Sequence, residues 1–279
     1  MVQNAVMTSP TNAPADRPTG ERREFETHWR MNARTRAVLD TAIDAAMAAR
    51  GGAPIDQVLD VGCGRQSNVV FPGARRVVGT DVDIEGLRAN QTVDEAIEAD
   101  IVATPIPELS VDAIACIYVL EHVPHPDRVF AKLARALRPG GVMVIAVPNV
   151  SAPKAAITRF TPLWFHKLVY VKLLGRNDPN VGDPFATVLD GAIRPDRLED
   201  LAEVCGLDVL ERIDFEDNKQ QQLRQKFKLT GAPWRLVRSI GRGLTRGRMD
   251  PELSDVAFAF QRRSSEATGD LADALTRQP

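Results

Sequence analysis

The sequence contains little of what secreted, metal-binding or membrane-spanning proteins depend on. It has three cysteines and four histidines among 279 residues, and neither set shows a metal-ligand spacing or a disulfide framework. No apolar run approaches the roughly 18–20 residues that a membrane-spanning helix needs. The N-terminal residues lack the apolar core of a signal peptide. These absences predict a reduced, cytoplasmic protein without a structural metal.

Acidic residues are absent from one long segment. Between Lys219 and Met249 there are nine basic residues and no acid. Because the whole chain carries −2 and this segment +9, the remainder carries −11. Such an asymmetry indicates either an anionic partner or packing of the segment on the acidic remainder of the protein.

The most informative stretch is a glycine loop between two apolar runs. Val58–Val61 leads into Gly62–Gly64, and Arg76–Thr80 ends at Asp81. Short apolar runs closed by glycine or an acid are typical of buried parallel strands. Glycine lets the backbone approach a ligand, and an acid about 20 residues later can accept hydrogen bonds from ribose hydroxyls. The pattern predicts a nucleoside-bearing cofactor that lies across adjacent strand ends.

Two cofactor classes compete for this loop. The dinucleotide fingerprint G-x-G-x-x-G is incomplete, because Ser67 stands at the position of the third glycine. The carboxylate of Asp60 suits a cofactor with a cationic inner part, such as an ammonium or a sulfonium, and would repel a pyrophosphate. The loop therefore favours a cationic nucleoside cofactor over a dinucleotide.

Further strand ends follow in order. Glu95–Ile101 is predicted to contain a short strand that ends at Asp100. Asp100 and Ile101 suit adenine, since a carboxylate can accept a hydrogen bond from the exocyclic amine while a backbone N–H donates to a ring nitrogen. The apolar strand Val111–Val119 leads into the sequence LEHVPHP and a helix over Asp127–Leu137. The sequence RPGG then ends this helix, and Val142–Val147 is predicted to be another buried strand.

In this order the motifs resemble those of class I S-adenosylmethionine-dependent methyltransferases, in the form found in small-molecule and quinone-type enzymes. The resemblance covers about residues 56–150 and departs from the family pattern at Gln66, where a third glycine is common. It implies an α/β, Rossmann-like fold with a seven-stranded, mostly parallel sheet, helices on both faces and an antiparallel last strand. It also implies an enzyme that transfers the methyl group of S-adenosyl-L-methionine to a nucleophilic oxygen, nitrogen or carbon atom. The aromatic and basic segments described below favour a small, lipophilic or lipid-linked acceptor, and we expect methylation at oxygen.

The resemblance assigns site residues position by position. The cofactor-binding residues that it implies are Asp60, Gly62, Cys63 and Gly64 around the methionine part, Asp81 and Val82 at the ribose, Asp100 and Ile101 at the adenine, and Tyr118 at the methyl-donor end. A base is needed only if the acceptor must lose a proton, and the candidates are His122, His166 and Tyr170. Helix capping and packing is the alternative role of Glu121 and His122.

The predicted domain organisation is one methyltransferase domain over residues 21–263, with its core at 56–150. Phe25–Arg50 is predicted to be a helix whose apolar face contains Phe25, Trp29, Val38, Leu39, Ile43 and Met47. Residues 1–20 are predicted to be disordered and residues 264–279 to be a flexible tail. Residues 151–190 form an aromatic insertion, which is either a substrate lid that carries His166 and Tyr170 or a packed helix. Leu207–Phe215 and Val256–Gln261 are predicted to pair as an antiparallel hairpin that a basic insertion, residues 217–252, interrupts.

The basic insertion contains an amphipathic helical pattern. Trp234, Leu236, Val237, Ile240 and Leu244 are predicted to share one face, with arginines around it. Such a helix suits peripheral contact with an anionic membrane through residues 219–249. Nucleic acid fits less well, because no recognition fold or aromatic platform accompanies the charges. The helix could also pack on the protein's own acidic body.

Two other function classes remain open at this stage. A chain with this fold could bind the cofactor or a partner without catalysis. A nucleic-acid methyltransferase is the other, although Tyr118–Glu121 stands where an amino-methylating enzyme would carry N-P-P-[YF]. The sequence leaves the oligomeric state undetermined.

Overall fold

The computed structural model describes residues 33–150, 152, 190–247 and 250–264. Predictions for residues 1–20, for nearly all of the 151–190 insertion with His166 and Tyr170, and for the tail after residue 264 lie outside this described part.

Seven strands form one sheet in the order β3-β2-β1-β4-β5-β7-β6. Neighbouring strands among the first five pair in parallel, whereas β7 runs antiparallel to both β5 and β6. This arrangement confirms the predicted mostly parallel sheet with an antiparallel last strand. The strands are β1 Gln57–Val61, β2 Arg76–Asp81, β3 Glu95–Glu98, β4 Val111–Ile117, β5 Leu137–Pro148, β6 Leu207–Phe215 and β7 Asp255–Arg262.

Helices cover both faces of this sheet. In the described part they are α1 Ala33–Ala49, α2 Ile84–Ala89, α3 Pro126–Ala136, α4 Pro195–Val204, α5 Asn218–Lys226 and α6 Gly231–Leu244. Buried residues of α1 and α2 pack with one set of strand side chains, and those of α3 and α4 pack with the opposite set. Every residue of β4 is buried, as expected for a central parallel strand covered on both faces. No helix of the described residues is long and apolar enough to cross a membrane.

Helix α1 packs through smaller residues than the sequence pattern predicted. Its buried positions include Ala42 and Ala46, whereas Ile43 and Met47, which were expected to face the core, are only half-buried. The alanines let α1 approach β5 closely. At that contact Gly140 has a φ of 75°, and a Cβ there would meet Ala49 Cβ at 2.6 Å. The predicted helix start at Phe25 lies outside the described residues.

Several element boundaries differ from the sequence prediction. β4 ends at Ile117, not at Val119, because Tyr118 adopts a left-handed φ of 59° that ends the extended strand. A short 3₁₀ turn, Leu120–His122, follows, so His122 precedes α3 and is not part of its first turn. β3 ends at Glu98, two residues before Asp100.

A buried carboxylate ties four elements together at the amino ends of the central strands. Asp112 Oδ1 accepts hydrogen bonds from Arg50 Nη1 at 2.5 Å and from Arg138 Nη1 at 3.1 Å. Its Oδ2 accepts from the backbone N–H groups of Asp56 at 3.1 Å and Gln57 at 2.8 Å. The cluster therefore joins the end of α1, the start of β1 and the start of β5 to β4.

We expect Asp112→Ala to lower the free energy of unfolding by about 3 kcal/mol, because it removes a buried carboxylate that accepts hydrogen bonds from two guanidinium groups and two backbone N–H groups. Urea unfolding measures this change. Asp56→Ala is the matched control, since its carboxylate meets only the exposed Arg75 at 3.6 Å, and it should change stability by less than about 0.5 kcal/mol. Equal losses in the two variants would contradict the structural role of Asp112.

Candidate active site

The carboxyl ends of the parallel strands meet at one edge of the sheet, called here the carboxyl edge. Val61, the last residue of β1, pairs with Thr80 of β2 on one side and with Cys116 of β4 on the other. The glycine loop, Asp81 and Tyr118 each follow or end one of these strands. The structure thus brings together residues that are separated by up to almost sixty positions in the sequence.

The glycine loop lies against the end of β2. Gly62 N donates to Thr80 O at 2.7 Å, and the φ angles of Gly62 and Gly64 are 69° and 52°. A Cβ on Gly62 would overlap Val119 Cγ2. Both the left-handed backbone and the lack of space therefore require glycine at position 62.

Asp81 is held in a fixed orientation by two backbone donors. Its Oδ2 accepts from Gly64 N at 2.8 Å, and its Oδ1 accepts from Asp83 N at 2.9 Å. A carboxylate oxygen can accept more than one hydrogen bond, so each oxygen keeps capacity for another donor. Two oxygens in this arrangement can receive the neighbouring hydroxyls of a ribose.

A polar clamp that the sequence analysis missed supports the same loop. Asn90 Nδ2 donates to Gly64 O at 2.9 Å, while Asn90 Oδ1 accepts from Thr92 N at 2.8 Å. Thr92 Oγ1 in turn accepts from Ser67 N at 2.9 Å. Asn90 and Thr92, which follow a short helix, are typical turn residues. No sequence pattern shows that their hydrogen-bond partners, Gly64 and Ser67, lie about 25 residues earlier.

Asp60 is a buried acid beside the loop. Its Oδ2 atom has no hydrogen-bond partner among the described residues. Burial raises the pKa of Asp60 from 3.8 to about 7, while a hydrogen bond from Ser67 lowers it and the charge of Asp81 raises it further. A buried carboxylate with an unsatisfied oxygen favours a cationic ligand, which would restore the ionised form.

Cys63 contributes packing and not reactivity. Its side chain is buried, and a Cβ on Gly79 would meet Cys63 Sγ at 2.7 Å. Burial, followed by the charges of Asp60 and Asp81, raises the pKa of Cys63 to about 12. The thiol therefore stays protonated near neutral pH and is no nucleophile.

The loop after β3 carries the predicted adenine residues. Ala99 N donates to Asp81 O at 3.0 Å, so this loop adjoins the ribose acid. Ile101 is buried, whereas Asp100 is exposed and its Oδ1 accepts from Val102 N at 2.8 Å. Lys132 Nζ donates to Thr104 O at 3.0 Å and also to Ile101 O, which anchors the loop to α3.

Val82 directly follows the ribose acid, and its side chain is largely exposed. An apolar side chain exposed beside Asp81 is open to contact with a ligand at this edge. The contacts of Val82, Asp100 and Ile101 with a nucleoside stay predictions.

Tyr118 and His122 occupy the end of β4. The Tyr118 hydroxyl donates to Asp255 Oδ2 at 2.6 Å, which joins β4 to the start of β7. His122 is partly exposed, and its Nε2 lies 3.9 Å from Oε1 of the buried Glu121. The carboxylate is close enough to stabilise a protonated imidazole, so this pair can accept a proton from a nearby group.

Comparison with known proteins agrees with this geometry. Residues 59–145 match the family model described as "Methyltransferase domain". These residues are similar to class I methyltransferases. The match spans the glycine loop, the carboxyl edge and most of β5, and it confirms the resemblance seen in the sequence.

Individual relatives of the methyltransferase domain are similar over part of their length. A probable S-adenosylmethionine-dependent methyltransferase of Mycolicibacterium smegmatis is 32% identical over 97 residues, which are 33% of this chain and 38% of that protein. A trans-aconitate 2-methyltransferase of Azoarcus sp. is 35% identical over 39% of this chain and 47% of its own length. A ubiquinone biosynthesis O-methyltransferase of Dechloromonas aromatica is 33% identical over 38% of this chain and 49% of its own length. The chain thus spans less than half of the length of each of these relatives.

The residues of the carboxyl edge fit S-adenosylmethionine. Asp81 offers a fixed carboxylate for the ribose, and the glycines leave space for the backbone to approach the ligand. Asp60 offers an unsatisfied buried oxygen beside the loop that the resemblance assigns to the cationic methionine part. These fits rest on the residues present and assign no contact distance to the cofactor.

We expect Asp81→Ala to weaken binding of S-adenosylmethionine and S-adenosylhomocysteine by at least about 30-fold, because two charge-assisted hydrogen bonds to the ribose are lost. Isothermal titration calorimetry measures the change. Glu85→Ala is the control, since Glu85 is an exposed acid four residues further on. Unchanged affinity in a folded Asp81→Ala variant would remove Asp81 from the ribose site.

The affinity for S-adenosylmethionine should increase as the pH rises through about 7, because a cationic ligand binds the ionised form of Asp60. In Asp60→Asn the affinity should be lower and should lose this pH dependence. Calorimetry across this pH range compares the two proteins, and parallel curves would argue against a contact between Asp60 and the cation.

Without ligand, the same group gives the opposite pH dependence in stability. The folded pKa lies above the ordinary value, so the stability that Asp60 contributes is present below pH 3.8 and is lost as the pH rises through about 7. Asp60→Asn should therefore flatten this part of the stability curve.

Proposed function

We propose that the chain is a methyltransferase that uses S-adenosyl-L-methionine to methylate a small, lipophilic or lipid-linked acceptor at oxygen. The observation that carries the proposal is the pair of acids beside the glycine loop, with Asp81 fixed by backbone donors and Asp60 buried with an unsatisfied oxygen. A dinucleotide would set its pyrophosphate against Asp60, which is electrostatically unfavourable. The family match over residues 59–145 supports the same assignment.

The bound cofactor supplies a methyl group that its sulfonium charge already activates. The work of the chain is to hold the donor and the acceptor in line and to exclude water. Asp81 and the glycine loop fix the nucleoside end at the carboxyl edge. Tyr118, held by its hydrogen bond to Asp255, is proposed to border the methyl-donor end.

A hydroxyl acceptor must lose a proton when it is methylated, and His122 is the candidate base within the described residues. Glu121 lies 3.9 Å from its Nε2 atom and would stabilise the imidazolium that forms. His166 and Tyr170 stay candidates from the sequence alone. If the acceptor ionises without help, His122 would instead line the acceptor cleft.

The acceptor class is proposed from two observations. Two of the relatives named above have names that refer to small molecules: one is a trans-aconitate 2-methyltransferase, and the other is an O-methyltransferase of ubiquinone biosynthesis. In this chain, exposed apolar and basic residues of α6 belong to an insertion that leaves the sheet at the carboxyl edge. A lipophilic or lipid-linked acceptor would be met at such a surface, whereas a soluble anion such as trans-aconitate would not need it.

The proposed domain organisation is a single methyltransferase domain over residues 21–263. The split pairing of β6 and β7 supports it, because β7 completes the sheet only after the basic insertion. The substrate lid predicted for residues 151–190 lies almost entirely outside the described residues.

Transfer of a labelled methyl group from S-adenosylmethionine to a panel of lipophilic phenols, carboxylic acids and amines tests the function. We expect phenolic acceptors to be methylated, and His122→Asn to lower kcat by about 100-fold with little change in the KM for S-adenosylmethionine.

His125→Asn is the matched control, because His125 is exposed three residues further on and asparagine tolerates its φ of 51°. It should change kcat by less than about twofold. Binding of the cofactor without transfer to any acceptor would favour a non-catalytic protein, and equal effects of the two substitutions would remove His122 as the base.

A further inference from the structure

The basic insertion joins β6 to β7 at the carboxyl edge of the sheet. β6 ends at Phe215 and β7 begins at Asp255, and these two residues pair with each other. Asp255 also pairs with Pro148, the last residue of β5. Helices α5 and α6 therefore leave and re-enter the sheet at the edge that carries the glycine loop and Asp81.

Polar contacts fix the base of the insertion to the sheet. Asp217 N donates to Ser254 Oγ at 2.9 Å, and Gln220 Nε2 donates to Pro251 O at 2.9 Å. Arg224 forms two hydrogen bonds of 2.5 Å with the carboxylate of Glu216. The two helices thus emerge from a base that is held by several independent contacts.

Helix α6 docks on this base through a narrow side. Trp234 lies under the Arg224 guanidinium, whose Cζ is 4.4 Å from the ring centroid, and Arg238 binds Asp250 at 2.7–2.9 Å. A Cβ on Gly241 would overlap Pro251. Trp234 therefore belongs to the docked side and not to the apolar face on which the sequence pattern placed it, because its helical position lies near Arg238 and Gly241.

The opposite side of α6 is apolar and uncovered within the described part of the chain. Leu236, Ile240 and Leu244 recur at four-residue steps with exposures of 63%, 53% and 82%, and Val237 lies beside them. These four residues are called here the apolar stripe. No residue of α6 is buried, so the stripe is not a core face.

Basic side chains accompany the apolar stripe. Arg235, Arg242 and Arg246 follow one another at steps of seven and four residues and are exposed; they are called here the arginine row. Arg242 approaches Asp250 only at 3.8 Å. Lys226 and Lys228 add exposed charge in the turn before α6, where Phe227 and Leu229 are also exposed.

We propose that the outer side of α5 and α6 binds an anionic lipid surface. The apolar stripe would enter the boundary between headgroups and acyl chains, and the arginine row with the two lysines would contact the lipid phosphates. Charge complementarity selects this occupant, because residues 219–249 contain no acid and the inward arginines are already paired with Glu216 and Asp250.

Other occupants explain the surface less well. Nucleic acid would use the arginines and leave the apolar stripe in water. A second copy of the chain would cover the stripe but would bring two arginine rows together. Vesicle binding is measured without turnover, so a failure to bind lipid can be distinguished from a failure of methyl transfer.

Co-sedimentation of the full chain with lipid vesicles tests the proposal. We expect binding to vesicles that contain equal amounts of phosphatidylserine and phosphatidylcholine, weak binding to phosphatidylcholine alone, and a decrease as the salt concentration rises. The variant Leu236→Gln, Ile240→Gln, Leu244→Gln should lose binding to the anionic vesicles.

Charge is tested by a matched pair of triple variants. Arg235→Gln, Arg242→Gln, Arg246→Gln should lower the partition coefficient by roughly 100-fold. The control Arg75→Gln, Arg88→Gln, Arg197→Gln removes the same net charge from exposed positions elsewhere and should change it by less than about threefold. Urea unfolding midpoints verify that all variants are folded.

Four outcomes would overturn the proposal. These are equal binding to neutral and anionic vesicles, no binding to either, an equal loss in the control variant, or tight binding to single-stranded RNA without binding to vesicles. Sedimentation velocity tests whether a second copy of the chain covers the apolar stripe. If the protein does not bind vesicles but forms a dimer that the apolar substitutions dissociate, the stripe would be assigned to self-association.

Discussion

The parallel pairing of β1 with β2 on one side and β4 on the other is the constraint on which the site depends. Pairing in this register places the glycine loop, Asp81 and Tyr118 at one edge, although they are far apart in the sequence. The opposite ends of β1, β4 and β5 are held by the buried Asp112 with Arg50 and Arg138. One end of these strands is thus held by ion pairs and hydrogen bonds, and the candidate site lies at the other end.

At the carboxyl edge, Asp81 and Asp60 differ in their hydrogen-bond partners. Asp81 accepts two N–H groups and is already oriented, whereas Asp60 is buried with an oxygen that nothing in the described structure satisfies. Orientation favours a neutral polar group such as a pair of hydroxyls, and an unmet buried charge favours a cation. In the proposed binding mode, the two carboxylates would therefore discriminate between the ends of one ligand.

Much of the fold could be predicted from the sequence, because long apolar strands and their glycine or acid ends are local signals. The bounds of β6 were predicted as the structure has them, and the antiparallel place of β7 followed from the family resemblance. Local signals could not show that Asn90 and Thr92 hold the glycine loop, since those hydrogen bonds join distant residues. Helical periodicity also placed Trp234 with the apolar stripe, because periodicity does not show which side of α6 packs on the base of the insertion.

The position of β7 between β5 and β6 has a consequence for the order in which the chain is completed. Within the described part of the chain, β6 pairs only with β7, and the whole basic insertion separates these two strands in the sequence. During synthesis, the backbone of β6 therefore cannot pair with β7 until the insertion and the start of β7 at Asp255 have been made. The two helices of the insertion can form in that interval, because helices fold from local contacts while the long-range strand pairing is still pending. β7 can then pair with both β5 and β6, which adds the last two strands to the sheet.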